Sequence, residues 1–344
     1  MIDEQPPGVL ADDTTVVEYM RPLQAILDRP GVTELCINRP DEVFFEQEGV
    51  WERVAVPGLT YTHCRSLANA VATWTAQFTS EAAPLLSATL PCGERVQFCQ
   101  PGATPAGIVG VCIRKPSTRL LRLSDFQNSG LFERVRPPSV DLLPFEKDLL
   151  QMKENHDYAG FLRAAVRQRQ TILVAGKTGS GKTTFMKALV EEIPTTERLI
   201  TIEDAAEMRL PSHPNKLNLF YSKNGQGASN VSAKQLLEAC LRLRPDRILL
   251  AEVRGEEAYY FLRLAASGHP GSLTSLHAGS CELAFEQIAL MVRESAAGGG
   301  MSMSEIKQLA HDVIDIVVHM DDLEGRHITG IHYDPRARLD RRPS

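Results

Sequence analysis

No apolar run in the chain approaches the ~18 residues that a bilayer-spanning helix needs, so any membrane contact is expected to be peripheral. The opening MIDEQPPGVLADD is acidic and lacks the apolar stretch of a secretory signal, which leads us to expect a cytoplasmic protein. The seven cysteines are an odd set without any C-x-x-C, which fits free thiols in a reducing compartment better than a disulfide or zinc framework. Positive charge is not in excess either. A net charge of −6 argues against a dedicated nucleic-acid binder, although a local basic patch is still compatible with it. No internal repeat or low-complexity segment interrupts the chain. What is present is ordinary for a globular protein: 344 residues, 43% hydrophobic and 23% charged, a length that favours two domains.

One stretch organises the rest. In TILVAGKTGSGKTTFMKALVE (171–191), a β-branched run leads into Gly176-Lys177-Thr178-Gly179-Ser180-Gly181-Lys182-Thr183-Thr184 and then into a helical pattern. This is the phosphate-binding loop G-x-x-x-x-G-K-[ST] in its strand–loop–helix setting. The glycines let successive N–H groups point at phosphate oxygens, and the helix start adds its own unpaired N–H groups. Lys182 is expected to neutralise the β- and γ-phosphates and the Thr183 hydroxyl to ligate Mg²⁺. An accidental Gly-rich turn would not match every fixed position and both flanking elements. The chain is expected to bind a nucleoside triphosphate.

Before this loop the pattern is mixed. Residues 1–13 read as a disordered leader, and a helix follows over Thr14 to Leu27, with Pro22 expected to kink or restart it. Alternating segments at 32–38 and 41–56 read as strands with Gly49 at a hairpin tip, and Tyr61 to Phe78 as an amphipathic helix whose Trp74 and Phe78 face the core. More strands are expected over 84–115, where Arg95 and Arg114 taken alone read as a solvated strand face. The N-terminal α+β domain thus spans 14–132, and the Pro-rich stretch 133–144 is the linker. From 145 to 335 strands and helices alternate, which predicts an α/β, RecA-like P-loop ATPase domain with a mostly parallel sheet. Helices are expected over 145–170, broken around Asn155-His156-Asp157. The tail 336–344, with Arg336, Arg338, Arg341 and Arg342, reads as a basic, solvated end.

In open parallel sheets chemistry gathers at the carboxyl ends of strands. Three such ends are polar here: Glu203-Asp204 with Glu207 beyond, Glu252 with Arg254 after it, and the segment from His269 to His277. Each acid taken alone could be a cap or a surface residue. Together, beside a phosphate loop, they supply the carboxylates that Mg²⁺ and an attacking water require. Zinc at His269 and His277 is disfavoured because no third ligand lies at metal spacing. His277 reads better as a sensor of the γ-phosphate.

In the order GKTGSGKT, TIEDAAE, RILLAEVRG and GHPGSLTSLHA, the chain resembles the secretion-motor ATPases, and within them the traffic ATPases of type IV secretion systems. TELCINRPDEVFFE, LPCGERVQ, IRKPS and CELAFEQIALMV extend the resemblance over residues 20–335. It implies an ATP- and Mg²⁺-dependent homohexamer at the cytoplasmic face of the bacterial inner membrane. Its implied partners are other secretion components, ATPases among them, with transported protein or DNA bound only transiently. It also implies roles: Lys182 and Thr183 at phosphate and Mg²⁺, Glu203 ordering Mg²⁺, Glu252 as general base, and His277 as the histidine-box residue. Arg95 and Arg114 match arginines that serve the nucleotide phosphates. In one branch of the family a longer linker alters how neighbouring domains pair, and the stretch 133–144 is long enough for that. Only Cys240 and Cys281 follow residue 171, so the zinc-insert branch of type II secretion is disfavoured. The competing readings are a pilus-retraction motor, a metabolic P-loop kinase, a nucleotide-gated scaffold with little turnover, and a DNA helicase.

Overall fold

The first helix, α1 (Asp13–Leu27), buries Val16, Met20, Leu23, Ile26 and Leu27, one stripe of a 3.6-residue repeat, and Pro22 lies inside it without ending it. The computed structural model describes residues 13–117, 120–133, 135, 141–222 and 229–340. The expected leader (but for residue 13), the linker positions 134 and 136–140, the Gly-rich 225–227 and Arg341 and Arg342 lie outside the described residues. After α1 come β1 (Val32–Ile37), β2 (Glu42–Gln47), β3 (Val50–Ala55), α2 (Tyr61–Trp74), β4 (Leu85–Thr89), β5 (Arg95–Cys99) and β6 (Gly110–Arg114). These strands form one sheet in the order β3-β2-β1-β6-β5-β4, antiparallel at every pairing. Glu48 and Gly49, both at positive φ, make the expected two-residue hairpin between β2 and β3.

One face of this sheet packs Leu35, Ile37, Val43, Phe45, Val96, Phe98, Val111 and Ile113 against α1 and α2. Helix α2 stops four residues short of the expected Phe78. Thr75 turns its hydroxyl back onto the Val71 carbonyl at 2.8 Å, and Ala76 takes a left-handed φ of 53°. Phe78 is therefore 74% exposed rather than core. On the opposite face Arg95 and Arg114 sit directly across from each other in β5 and β6, and Glu34 of β1 lies 3.4 Å from Arg114. Like charges facing across strands oppose pairing, and Glu34 offsets that repulsion on one side only.

The chain continues through α3 (Leu123–Asn128), α4 (Pro144–Glu154) and α5 (Tyr158–Arg167). The break between α4 and α5 falls at Asn155-His156-Asp157 as expected, with the Asp157 side chain accepting from Gly160 N at 2.9 Å as the cap of α5. There follow β7 (Ile172–Gly176), α6 (Lys182–Val190), β8 (Leu199–Glu203), β9 (Lys216–Phe220), α7 (Ala233–Cys240), β10 (Arg247–Leu250), α8 (Glu257–Ala266) and β11 (Leu273–Leu276). The described chain closes with α9 (Cys281–Glu294), α10 (Met303–Val313), β12 (Ile316–Asp321), β13 (His327–Tyr333) and α11 (Pro335–Asp340). Contacts divide the described chain into two compact units: residues up to Pro116 with Leu219–Arg244, and Ser117–Asn218 with the chain from Pro245 on.

The second sheet has seven strands in the order β13-β12-β7-β11-β10-β8-β9. The pairings β12–β7, β7–β11, β11–β10 and β10–β8 are parallel, and β12–β13 is antiparallel. Every residue of β7, β8, β10 and β11 is buried, as a parallel sheet covered on both faces requires. Ile172, Val174, Leu249, Leu273, Ile316 and Val318 pack with Leu149, Phe161 and Met186 of α4, α5 and α6. The terminal helix differs from the solvated tail expected of its sequence. Arg338 of α11 folds back to Asp315 at 2.5 Å, and Asp315 also accepts from Thr171 N at 2.6 Å, just before β7.

Candidate functional site

Strand β7 delivers the phosphate loop into the centre of the sheet, between β11 and β12. The Gly176 backbone passes so close to β12 that a Cβ there would meet the Met320 carbonyl oxygen at 2.3 Å. Gly181, at φ 94°, is the left-handed cap from which α6 starts. With no side-chain cap at that end, the first N–H groups of α6 are left for an anion.

A cleft of about 320 Å³ opens over this loop, lined by Thr178, Gly179, Gly181, Lys182, Thr183 and Thr184 on the loop side and by Asp204, Glu207, Glu252, Arg254 and His277 across from it. Ala251, Ser275 and Arg326 complete its lining. The volume falls at the lower end of ordinary ligand pockets, about 300–1,000 Å³.

Lys182 reaches back across the loop. Its ammonium donates to the carbonyls of Gly176 at 2.8 Å and Lys177 at 2.9 Å, and lies 3.4 Å from His277 Nδ1. An ammonium can only donate, so Nδ1 is the accepting side of that contact. Nε2 lies 2.7 Å from Glu252 Oε1. A single line of contacts thus joins Lys182, His277 and Glu252. The other Glu252 oxygen pairs with Arg254, which also reaches Asp204 at 3.1 Å. Burial pushes the Glu252 carboxyl above the usual carboxylate range, with His277 and Lys182 pulling the other way. Burial likewise draws Lys182 below the usual lysine range, against the opposing charge of Glu252.

Glu252 lies two residues beyond the end of β10, not at its last residue as the sequence pattern suggested. Its segment is braced instead by β11: Ser275 Oγ donates to the Ala251 carbonyl at 2.7 Å, and Val253 N donates to the Ser275 carbonyl at 2.8 Å.

Glu203 is placed differently from the expectation. It is 0% exposed and does not line the cleft. Its Oε1 accepts from Thr201 at 2.5 Å and Asn218 at 3.1 Å, and its Oε2 from the backbone N–H groups of Glu207 at 2.8 Å and Met208 at 2.7 Å. Four donors consume the carboxylate, which leaves it holding the turn that carries Glu207. The acids that face the cleft are Asp204, Glu207 and Glu252.

Arg95 and Arg114 belong to the other compact unit, side by side in its sheet. The sequence reading missed Arg326, in the turn between β12 and β13, far along the chain from every motif. It also missed the pairing of Lys177 with that turn, through Asp322 at 2.5 Å and Asp321 at 3.1 Å. These hydrogen bonds, to Asp322 first, hold the Lys177 ammonium above its usual range. His269 lies in the turn before β11, its carbonyl accepting from Ser272 Oγ at 2.9 Å, and it does not line the cleft. Among the described residues no cluster of side chains is arranged to hold a metal on its own. Nor is any described helix long and apolar enough to cross a membrane.

Residues 134–319 match the model of a family described as Type II/IV secretion system protein. The chain is 50% identical over 326 residues to the type IV secretion system protein VirB11 of Brucella suis, covering 93% of this chain and 90% of that protein. It is 39% identical over 309 residues to the type IV secretion system protein PtlH of Bordetella pertussis, covering 90% and 91%. Among solved structures, the VirB11 ATPase from the Brucella suis type IV secretion system, in complex with sulphate, matches with a TM-score of 0.90 at 49% identity. That match covers 95% of this chain and 99% of the other.

Proposed function

We propose a function on the premise that these comparisons supply: the chain belongs to the Type II/IV secretion system protein family, as one of its type IV secretion ATPases. It hydrolyses ATP in the cleft over Thr178–Thr184 and passes the work to a secretion complex. The observation that carries this reading is the line from Lys182 through His277 to Glu252 across the mouth of a phosphate loop.

The backbone N–H groups of the loop and of the first turn of α6 bind the phosphates. Lys182, already aimed along the loop, exchanges its carbonyl contacts for β- and γ-phosphate oxygens. Glu252, whose raised pKa makes it a stronger base than an ordinary carboxylate, accepts the proton of the attacking water. His277, in contact with Glu252 at 2.7 Å, limits the directions in which the carboxylate can point. The Thr183 hydroxyl, with Asp204 and Glu207 on the facing wall, suits a Mg²⁺ and its waters, an arrangement of oxygens that this hard cation favours. Mg²⁺ bound there would neutralise charge on the β- and γ-oxygens. Glu203 serves the site by holding the turn that presents Glu207. Arg95 and Arg114 supply further positive charge to the phosphates in the transition state. The sulphate reported with the Brucella suis relative is a tetrahedral anion of the kind such a loop holds.

At the level of the molecule, we assign 14–132 to an N-terminal domain, 145–335 to the ATPase domain and 133–144 to the hinge between them. Six copies form a ring at the cytoplasmic face of the inner membrane, where other secretion components dock and cargo touches the ring only in passing. The test is ATP turnover by the purified protein, measured with its mass in solution, for wild type, Lys182→Ala and Glu252→Gln. Turnover by a hexamer that both variants lose is the expected result. Turnover unchanged in Glu252→Gln would overturn that residue's role as base, and nucleotide binding with negligible turnover in the wild type would favour a nucleotide-gated scaffold.

A further inference from the structure

The turn between β12 and β13 is fastened to the phosphate loop. Lys177 Nζ lies 2.5 Å from Asp322 Oδ1 and 3.1 Å from Asp321 Oδ1. The same Asp321 oxygen accepts from the backbone N–H groups of Asp322 at 2.6 Å and Leu323 at 3.1 Å, which fixes the turn's own shape. Four residues after Asp322, Arg326 comes out over the start of α6 and lines the cleft. Its Cδ and Nε lie 3.2 Å and 3.7 Å from the point a Cβ on Gly181 would occupy.

Of the cationic side chains lining the cleft, Lys182 is held by two carbonyls, and Arg254 by Glu252 and Asp204. Arg326, among the described residues, has neither an ion pair nor a hydrogen bond. The sheet order gives its place a meaning. The groups suited to hydrolysis follow β8, β10 and β11, on one side of β7, whereas Arg326 follows β12 on the other. A nucleotide whose γ-phosphate lies at Glu252 and His277 runs its opposite end towards β12 and β13. The loop's N–H groups cradle the α- and β-phosphates beside Gly181, within reach of a guanidinium anchored there.

We propose that Arg326 holds the nucleoside side of the bound nucleotide, gripping the α-phosphate that ATP and ADP share, and that it acts on affinity rather than on hydrolysis. The Lys177 contacts with Asp321 and Asp322 place the turn, and so position Arg326. This inference rests on the nucleotide-binding reading of the cleft, and one experiment separates the two. ADP binding is measured by titration calorimetry, and KM and kcat for ATP by steady-state kinetics, for wild type, Arg326→Ala, Arg326→Lys and Lys182→Ala. Arg326 is exposed and makes no internal bond, so its replacement should leave the melting temperature unchanged. Arg326→Ala should weaken ADP binding and raise KM for ATP by the same factor, about tenfold for a charge-assisted contact, with kcat within about twofold of wild type. Arg326→Lys, which keeps the charge, should lie between the two. An ADP affinity within about twofold of wild type in Arg326→Ala would overturn the proposal, as would an equal loss in both variants, which would indicate stacking on the base instead. Wild type that binds no ADP would overturn the nucleotide reading itself, and this inference with it.

Discussion

Glu252 is held on one oxygen by a histidine and on the other by an arginine, and it is half-buried, so its charge is balanced while its hydration is reduced. Removing the base without changing its shape, as in Glu252→Gln, is expected to lower kcat by about 10²–10⁴ while ATP still binds. Loss of binding together with turnover would argue against that role. The raised pKa makes a second prediction with a definite sign. Activity needs the deprotonated carboxylate, so the acid limb of kcat should lie above the ordinary glutamate value of about 4.3, and a pH–rate profile locates it. For stability the same shift works in reverse. Protonated Glu252 favours the fold; that contribution is complete below the unfolded value and is lost as pH rises through the raised one. Melting curves of wild type and Glu252→Gln should therefore diverge over that window, with the wild type losing ground as pH rises.

At the scale of elements, the most costly single disruption should be the pair under the sheet. Arg247 at the start of β10 is 0% exposed; it donates to Glu197 at 2.7 and 3.0 Å and to the Val166 carbonyl at 2.6 Å. Glu197→Ala would strand a buried guanidinium and should cost about 3–5 kcal/mol, measurable by denaturant unfolding. Gly176→Ala should likewise fail at the loop, because its Cβ would collide with the Met320 carbonyl and a backbone cannot step aside as a side chain can. Both elements show what the sequence could and could not reveal. The placing of the loop, Glu252 and His277 around one cleft was legible because a glycine-rich turn after a β-branched run, and polar residues ending apolar strands, are local patterns. The burial of Glu203 was not legible, because its four donors come from Thr201, Glu207, Met208 and Asn218, gathered only by the fold. Arg326 and the Asp315–Arg338 contact that seats α11 were invisible for the same reason: each depends on strands that are neighbours in space and distant in the chain. The helix α2 overran in the reading because Phe78 continued the apolar spacing past a threonine that ends it.

For the whole molecule, membership of the type IV secretion ATPases makes assembly the natural test of everything outside the cleft. The mass of the particle in solution should be that of a hexamer when nucleotide is present. Arg95→Ala and Arg114→Ala should lower turnover by at least tenfold while leaving the fold intact, since both side chains are exposed and Arg114 has only the looser 3.4 Å contact with Glu34. Thermal melting beside kinetics would check this: a large fall in melting temperature would mark the arginines as structural instead.

The neighbours of β7 set a further condition, on how the protein comes into being. One edge of β7 is filled by β11 and the other by β12, whose pairing runs from Ile316 to Met320, and Asp315 ties down Thr171 from 144 positions further along the chain. During synthesis from the N-terminus, the phosphate loop therefore leaves the ribosome long before the strand that encloses it. Pairings over such separations form late. A nascent or truncated chain ending before residue 315 carries the complete loop sequence but only one of its walls. The loop thus gains its second wall only once β12 has been made, well after Glu252 and His277 have left the ribosome.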